Sequence, residues 1–153
     1  MLYNGDVGKT ITQNKKAYFN YEILERFEAG IVLAGSEIKA IRAGKIHLQG
    51  AHAKVLTMQR RNKEAKNPEL FLINANIQTL DKESNTRTRK LLMHRKEIDK
   101  LIGKIQQKGL TLLPLSLYIK NGRAKVELGL ARGKKLHDKR ETIKKRDLDR
   151  EMR

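Results

Sequence analysis

A regular alternation between residues 113 and 130 constrains the fold more than any other feature of the chain. Every second residue from Leu113 to Ile119 and from Ala124 to Leu130 is apolar, with polar or small residues between them. A period of two places the apolar side chains on one face of a strand. Asn121-Gly122, between the two runs, is a favoured two-residue hairpin turn. The sequence therefore predicts an antiparallel hairpin with one buried face.

Four other segments have the composition of strands. Aromatic and β-branched residues in them are bounded by turn residues, with the first two separated at Ala29-Gly30. The segments are Ala17 to Phe27, Ile31 to Leu33, His52 to Met58 and Leu70 to Ile77. Polar loops are expected from Gln59 to Pro68 and from Leu80 to Thr88.

Two helices are predicted by apolar spacing and end signals. The first runs from Ser36, a candidate N-cap, to Gly44. Ile38 and Ile41 lie on one face, and Lys39 and Arg42 lie together on another. The second has apolar residues at i, i+3, i+4 and i+7 from Ile98 to Ile105 and ends at Lys108-Gly109. Strands in series with few long loops indicate a mainly β fold, an antiparallel barrel like the oligonucleotide-binding fold, with flanking helices. We expect a flexible leader at 1–13, a barrel at 14–132 and a basic tail at 133–153.

The C-terminal tail contains too few apolar residues to repay the entropy of ordering its backbone. Its charges are mostly positive, which predicts a segment disordered when free and helical when bound to a polyanion. The whole chain has 34 Lys and Arg against 17 Asp and Glu, a net charge of +17. The electrostatic field of so positive a chain attracts nucleic acid or anionic lipid.

Several absences narrow the class of protein. No apolar run is long enough for a membrane span, and no signal peptide core or lipidation motif is present. Cysteine is absent, consistent with a reducing cytoplasm. The four histidines lack metal-ligand spacing, and the carboxylates are scattered instead of clustered. We therefore expect a cytoplasmic RNA-binding protein with no enzymatic activity, no metal and no cofactor.

Several ordered motifs together resemble the SsrA-binding protein (small protein B) family over roughly Asn14 to Arg150. These motifs are Asn14-Lys15-Lys16-Ala17, Phe27-Glu28-Ala29-Gly30-Ile31, the run from Glu37 to Lys45, Arg87-Thr88-Arg89-Lys90-Leu91-Leu92-Met93, Gly109-Leu110-Thr111-Leu112 and the run from Ala131 to Arg140. The chain departs from the family pattern at Ile77 to Leu80, and the loop at 81–86 is shortened.

The resemblance implies a function as well as a fold. Members bind the tRNA-like domain of transfer-messenger RNA and accompany it, with elongation factor Tu, into stalled ribosomes. The tail then enters the empty mRNA channel near the decoding centre, and the unfinished peptide is tagged. No membrane partner is implied.

The resemblance also assigns residues to these contacts. Glu28, Leu92 and Lys125 match positions at which family members bind transfer-messenger RNA. Further candidates for RNA contact are Asn14, Lys39 and Arg42. Lys125 has its own rationale, because it lies on the polar face of the hairpin where a cation can meet a phosphate. Taken singly, Glu28 is typical of a turn, Leu92 of a core, and the cations of solvated surfaces.

In the tail, the ribosome-facing residues implied by the resemblance are Gly133, Lys134, Lys135, His137, Asp138, Lys139 and Arg140. His137 would stack on a ribosomal RNA base, and Asp138 could cap the helix. An ordinary basic terminus is the alternative. For the whole chain, the alternatives are a structural ribosomal protein or a generic basic RNA-binding protein. An interfacial membrane binder ranks last, because the tail has only a weak apolar stripe.

Overall fold

The computed structural model describes residues 10–57, 67–134, 140 and 143–146, apart from the side chains of residues 107 and 108. Its strands are β1 (Thr10–Gln13), β2 (Tyr21–Ile31), β3 (Ile46–His47), β4 (His52–Leu56), β5 (Glu69–Ile73), β6 (Asn76–Ile77), β7 (Arg89–Leu92), β8 (Thr111–Lys120) and β9 (Arg123–Gly133). Its α-helices are α1 (Lys15–Asn20), α2 (Gly35–Arg42) and α3 (Arg95–Lys108), and Lys82–Ser84 form a 3₁₀ turn.

The strands β8, β4, β5, β7, β2 and β9 are hydrogen-bonded in that order, and β9 pairs again with β8. All of these pairings are antiparallel, so the sheet closes on itself, and β1 adds to β8. Leucines such as Leu70, Leu72, Leu117 and Leu128 fill the interior and are fully buried. The prediction of a mainly β antiparallel barrel is confirmed.

The predicted hairpin is present as β8 and β9. Asn121 and Gly122 have φ values of 53° and 74°, as a type I′ turn requires. The strict alternation fails at one point, because the β8–β9 register shifts between Pro114 and Ser116. This bulge turns the buried side chains of Leu113 and Leu115 towards α1, while Leu117 faces the barrel interior.

Both predicted helices are present. α3 ends at Gly109, whose φ of 61° is the left-handed conformation expected of a glycine cap. α2 begins two residues earlier than predicted, with Ala34 instead of Ser36 at the N-cap position. Ile38 is exposed, whereas Glu37 is buried, so the predicted apolar face is only partly correct. No helix in the described ranges is long and apolar enough to cross a membrane.

The first predicted strand is wrong at its beginning. Residues 15–20 form α1, whose N-terminus is capped by Asn14 through a hydrogen bond from the Ala17 N–H to the Asn14 Oδ1 (3.3 Å). The predicted turn at Ala29-Gly30 is also wrong, since β2 continues to Ile31 along an extended ladder with β9. A long cross-strand ladder satisfies backbone groups that a turn at Gly30 would leave unpaired.

Two further segments differ from their predictions. Residues 10–13, assigned to the flexible leader, form β1; residues 1–9 lie outside the described part. The segment from Leu70 to Ile77 contains two strands, because Asn74 has a φ of 66° and ends β5. Of the predicted loop at 59–68, only the last two residues are described.

Candidate nucleic-acid interface

A row of residues crosses four strands on the outer face of the barrel. Gly30 of β2 lies opposite Leu92 of β7 and Lys125 of β9, and Lys125 lies opposite Tyr118 of β8. A Cβ built on Gly30 would lie 3.4 Å from the Leu92 Cβ and 3.8 Å from the Lys125 Nζ. Because glycine has no side chain, the leucine and the lysine meet above its backbone. The structure thus brings together two of the predicted contact residues.

Leu92 points away from the core despite its place in an apolar triplet. Its neighbour Leu91 is buried, whereas the side chain of Leu92 is 52% exposed. Lys125 forms no ion pair with any carboxylate among the described residues. An uncommitted cation therefore lies beside an exposed apolar side chain.

Glu28 lies two residues before Gly30 and opposite Glu127. Two carboxylates at directly opposed positions repel each other. Glu28 accepts a hydrogen bond from the Tyr118 hydroxyl, and its Oε2 lies 3.6 Å from the Lys120 Nζ. On the other side, Glu127 accepts a hydrogen bond of 2.8 Å from Arg26. These contacts hold the two carboxylates apart and neutralise each of them.

The pKa values of Tyr118 and Arg26 are both raised in this arrangement. Burial raises the pKa of the Tyr118 hydroxyl, and the hydrogen bond to Glu28 raises it further. Tyr118 therefore remains a protonated donor at neutral pH. The pKa of Arg26 is also raised, first by its hydrogen bond to Tyr18 and then by the one to Glu127.

Glu28, Leu92 and Lys125 border a single groove of about 580 Å³ on this surface. Arg42 from α2 lies in an adjoining groove that also includes Leu92 and Lys125, together with Arg123. Lys39 lies elsewhere, beside Lys45 and residues 78–81. The predicted cations of α2 thus divide, and only Arg42 borders the surface around Lys125.

Asn14 has a clear structural role. Its side chain is only 6% exposed, and its amide donates to the carbonyl oxygens of Pro114 (3.0 Å) and Leu48 (3.4 Å). Its Oδ1 caps α1, as described above. All polar atoms of this side chain therefore have partners within the fold, and its contact with RNA stays a prediction.

The beginning of the tail is anchored to α1. Gly133 is the last residue of β9 and pairs with Tyr21. The backbone N–H of Lys134 donates to the Asn20 carbonyl (2.9 Å), and its ammonium group donates to the Tyr18 carbonyl (3.1 Å). β9 therefore extends one residue beyond the predicted boundary at 132, and Lys134 is held on α1.

Only part of the predicted ribosome-facing segment is described. Arg140 and residues 143–146 are helical in the chain alone, whereas the helix was predicted for the bound tail, so that helix stays a prediction. The Arg146 guanidinium lies 5.3 Å from the centre of the Phe19 ring, within reach of a cation–π interaction. Lys135, His137, Asp138 and Lys139 lie outside the described residues, and disorder in the free state stays a prediction.

Tyr118, Lys120 and Arg26 were not identified from the sequence as site residues. The predicted hairpin does place Tyr118 and Lys120 on its polar face, so a local signal existed for them. Their link to Glu28 depends on the order of strands around the barrel, which alternation alone does not give. Among the described residues, no group of three or more His, Asp or Glu side chains is arranged to hold a metal ion.

Comparison with known proteins agrees with the motifs and the fold. The family model described as "SmpB protein" matches residues 11–153. The SsrA-binding protein of Thermosynechococcus vestitus is 49% identical over 97% of this chain and 95% of its own length. That of Acaryochloris marina is 52% identical over 94% of this chain and 91% of its own length.

A solved chain gives the same assignment. It comes from the structure described as "tmRNA-SmpB: a journey to the center of the bacterial ribosome". Its sequence is 45% identical, it superposes with a TM-score of 0.61, and the match covers 82% of this chain and 85% of that chain. From these matches, which span nearly its whole length, we conclude that the chain belongs to the SmpB protein family.

Proposed function

We propose that this protein binds the tRNA-like domain of transfer-messenger RNA and delivers it to stalled ribosomes for trans-translation. Membership of the SmpB family supports this function. So do the names of the relatives, which are SsrA-binding proteins, and the similarity to a chain solved in a tmRNA–SmpB study of the bacterial ribosome. The same membership supports the expectation that the protein is not an enzyme.

The row Leu92–Gly30–Lys125, with Glu28 beside it, is the observation that carries the proposal. Lys125 has no described carboxylate partner, so its ammonium group is available to a phosphate. Leu92 offers an apolar contact to a base or a sugar that is not paired. Glu28 offers a carboxylate acceptor, which suits an RNA hydroxyl or amino group but repels a phosphate. A surface with all three groups can distinguish one RNA from another, which positive charge alone cannot do.

The tail has a separate role in this proposal. The predicted tail beyond the anchored Lys134 enters the mRNA channel of a ribosome that lacks message, where Lys135, Lys139 and Arg140 neutralise phosphates. His137 stacks on a base of the decoding centre, and Asp138 caps the helix that forms. Anchoring of Lys134 on α1 supports this division, because the folded barrel then sets the point from which the tail departs.

Elongation factor Tu is the further partner, reached through the shared RNA complex. The protein acts in the cytoplasm, where its ribosomes and RNA are found. The field of a chain with a net charge of +17 speeds encounter with both polyanions but does not distinguish between them. Specificity must come from the arrangement of the outer face.

A competition titration tests the proposed partner. Labelled tRNA-like domain is bound by the protein at about physiological salt, where general electrostatic attraction is partly screened. Excess ordinary tRNA and duplex RNA are then added as competitors. We expect binding that survives both. Equal displacement by every RNA would contradict the proposal and favour a generic basic RNA-binding protein or a structural ribosomal protein.

A further inference from the structure

The contacts of Glu28 are divided unequally between its two carboxylate oxygens. The Tyr118 hydroxyl donates to Oε2, and the Lys120 ammonium group lies 3.6 Å from the same atom. Oε1 takes no hydrogen bond from any residue that the structure describes. The protein therefore fixes Oε2, while Oε1 can still accept a hydrogen bond from a ligand.

The cross-strand register places this acceptor inside the surface that contains Lys125. Tyr118 and Lys125 are directly opposite on β8 and β9, and Lys125 is opposite Gly30 on β2. Glu28 is two residues from Gly30 along β2, so it belongs to the adjacent row on the same face. A ligand held by Lys125 and Leu92 would therefore lie close to Glu28.

A carboxylate in such a place requires compensation, since it would otherwise repel the RNA backbone. Lys120 supplies a positive charge to Glu28, and Arg26 supplies one to the neighbouring Glu127 (2.8 Å). The pKa of Tyr118 is raised, first by burial and then by Glu28, so its hydroxyl stays protonated and donates. Glu28 then presents an accepting oxygen while Lys120 offsets its negative charge.

We propose that Tyr118 and Lys120 are positioning residues, which orient Glu28 so that its Oε1 accepts a hydrogen bond from the bound RNA. This inference rests on the proposed function and assigns a recognition chemistry to the site. An ionised carboxylate only accepts, so its partner must be a neutral donor of the RNA. The ribose 2′-hydroxyl and the exocyclic amino groups of the bases are the donors of this kind.

A double-mutant cycle tests the positioning role. Dissociation constants for the tRNA-like domain are measured for wild type, Tyr118→Phe, Glu28→Ala and the double variant. Loss of the Tyr118 hydroxyl is expected to weaken binding about threefold to tenfold, the effect of one hydrogen bond. In the Glu28→Ala background the same change should have no effect. Equal losses in both backgrounds would overturn the inference, because a purely structural role is independent of Glu28.

Two further variants test whether the effect of Tyr118→Phe is specific to its contact with Glu28. Tyr21→Phe removes a hydroxyl from β2 at a position outside this groove, and should leave affinity unchanged. Lys120→Gln removes the positive charge beside the same carboxylate oxygen of Glu28. Its effect on RNA affinity should also vanish in the Glu28→Ala background. Thermal unfolding establishes that each variant is folded. If Tyr118→Phe is unstable, the Lys120→Gln cycle decides the question alone.

Chemical substitution in the RNA identifies the donor. Single 2′-deoxy nucleotides remove the ribose hydroxyl, and inosine or purine riboside removes a base amino group. At one position, wild type should lose affinity while Glu28→Ala is insensitive to the substitution. Absence of any such position would overturn the inference. The proposed function fails separately, only when wild type itself does not prefer the tRNA-like domain over competing RNA.

Discussion

The Nε of Arg89 lies 2.6 Å from the Oε2 of Glu37, and both side chains are almost completely buried. Glu37 also accepts a hydrogen bond from the Ala34 N–H (2.8 Å), so it closes the N-terminus of α2. Arg89 donates in addition to the carbonyl oxygens of Ala75 (2.8 Å) and Asn85 (2.9 Å). One ion pair thereby connects α2, β7 and the loop at 81–86.

Replacement of one partner in this pair should be severely destabilising. Glu37→Gln leaves the buried guanidinium of Arg89 without its counter-charge, which typically costs about 3–5 kcal/mol. Chemical denaturation measures the free energy of unfolding. Glu22→Gln is the matched control, because Glu22 pairs with Arg132 at the same 2.6 Å but both side chains are more than half exposed. It should change stability by less than about 1 kcal/mol. Equal effects of the two substitutions would contradict the role given to burial.

Acid should reveal the same ion pair. Burial raises the pKa of Glu37, but hydrogen bonds from Arg87, the Ala34 N–H and Arg89 outweigh it and lower the pKa below the ordinary 4.5. A lowered pKa in the folded state stabilises the fold above the ordinary value, and this stabilisation is lost as pH falls through the folded pKa. The stability difference between wild type and Glu37→Gln should therefore shrink below pH 4.5. A difference that stayed constant between neutral and acidic pH would show that Glu37 is not ionised in the fold.

A side chain at Gly129 is expected to overpack the core against Leu115. A Cβ at this position would lie 2.7 Å from the Cδ1 of Leu115, which the β8 bulge places over the glycine. Gly129→Ala should destabilise the protein by about 1–3 kcal/mol through overpacking. Thermal denaturation measures the loss of stability. Leu115→Ala removes the side chain that the new Cβ would meet, so the double variant should lose less stability than the sum of the two single losses.

The control for that substitution is Gly103→Ala. Gly103 lies within α3, and a Cβ there would have no neighbour within 4 Å. Alanine favours a helix over glycine, so we expect a small gain of about 0.5–1 kcal/mol. Destabilisation of similar size at both glycines would argue against the packing of Leu115 as the cause.

Local signals predicted the hairpin and α3, because alternation, Asn121-Gly122 and Gly109 all act within a few residues. The same signals failed at α1, where aromatic composition favoured a strand but the Asn14 cap and a short turn of helix prevail. No local signal identified the partners of Glu37. Its partners Arg87 and Arg89 are 50 and 52 residues away, and only closure of the barrel brings them together.

The candidate site shows the same limit. The family resemblance assigned Glu28, Leu92 and Lys125 to the RNA, and the structure brings them to one groove. Nothing local indicated that Tyr118 bonds to Glu28, which is 90 residues away in the sequence. Contacts of this kind follow from strand order, which periodicity does not determine.

Removal of the tail should separate binding from peptide tagging. Because β9 reaches Gly133 and Lys134 bonds to α1, the truncation is placed after Lys134. The shortened protein should retain affinity for the tRNA-like domain but lose tagging in a reconstituted translation assay. Complete loss of RNA binding would show that the division between barrel and tail is wrong.

The salt dependence of RNA binding tests the central claim most directly. Dissociation constants for the tRNA-like domain are measured across a salt series for wild type, Lys125→Ala and Lys54→Ala. The last is a control with the same change of net charge, at an exposed residue of β4 outside the groove around Lys125. Lys125→Ala should bind more weakly and lower the slope of log K against log salt by about 0.7–0.9, the loss of one phosphate contact, while Lys54→Ala matches wild type. Identical affinities and slopes for the two variants would contradict the assignment of this outer face to the RNA.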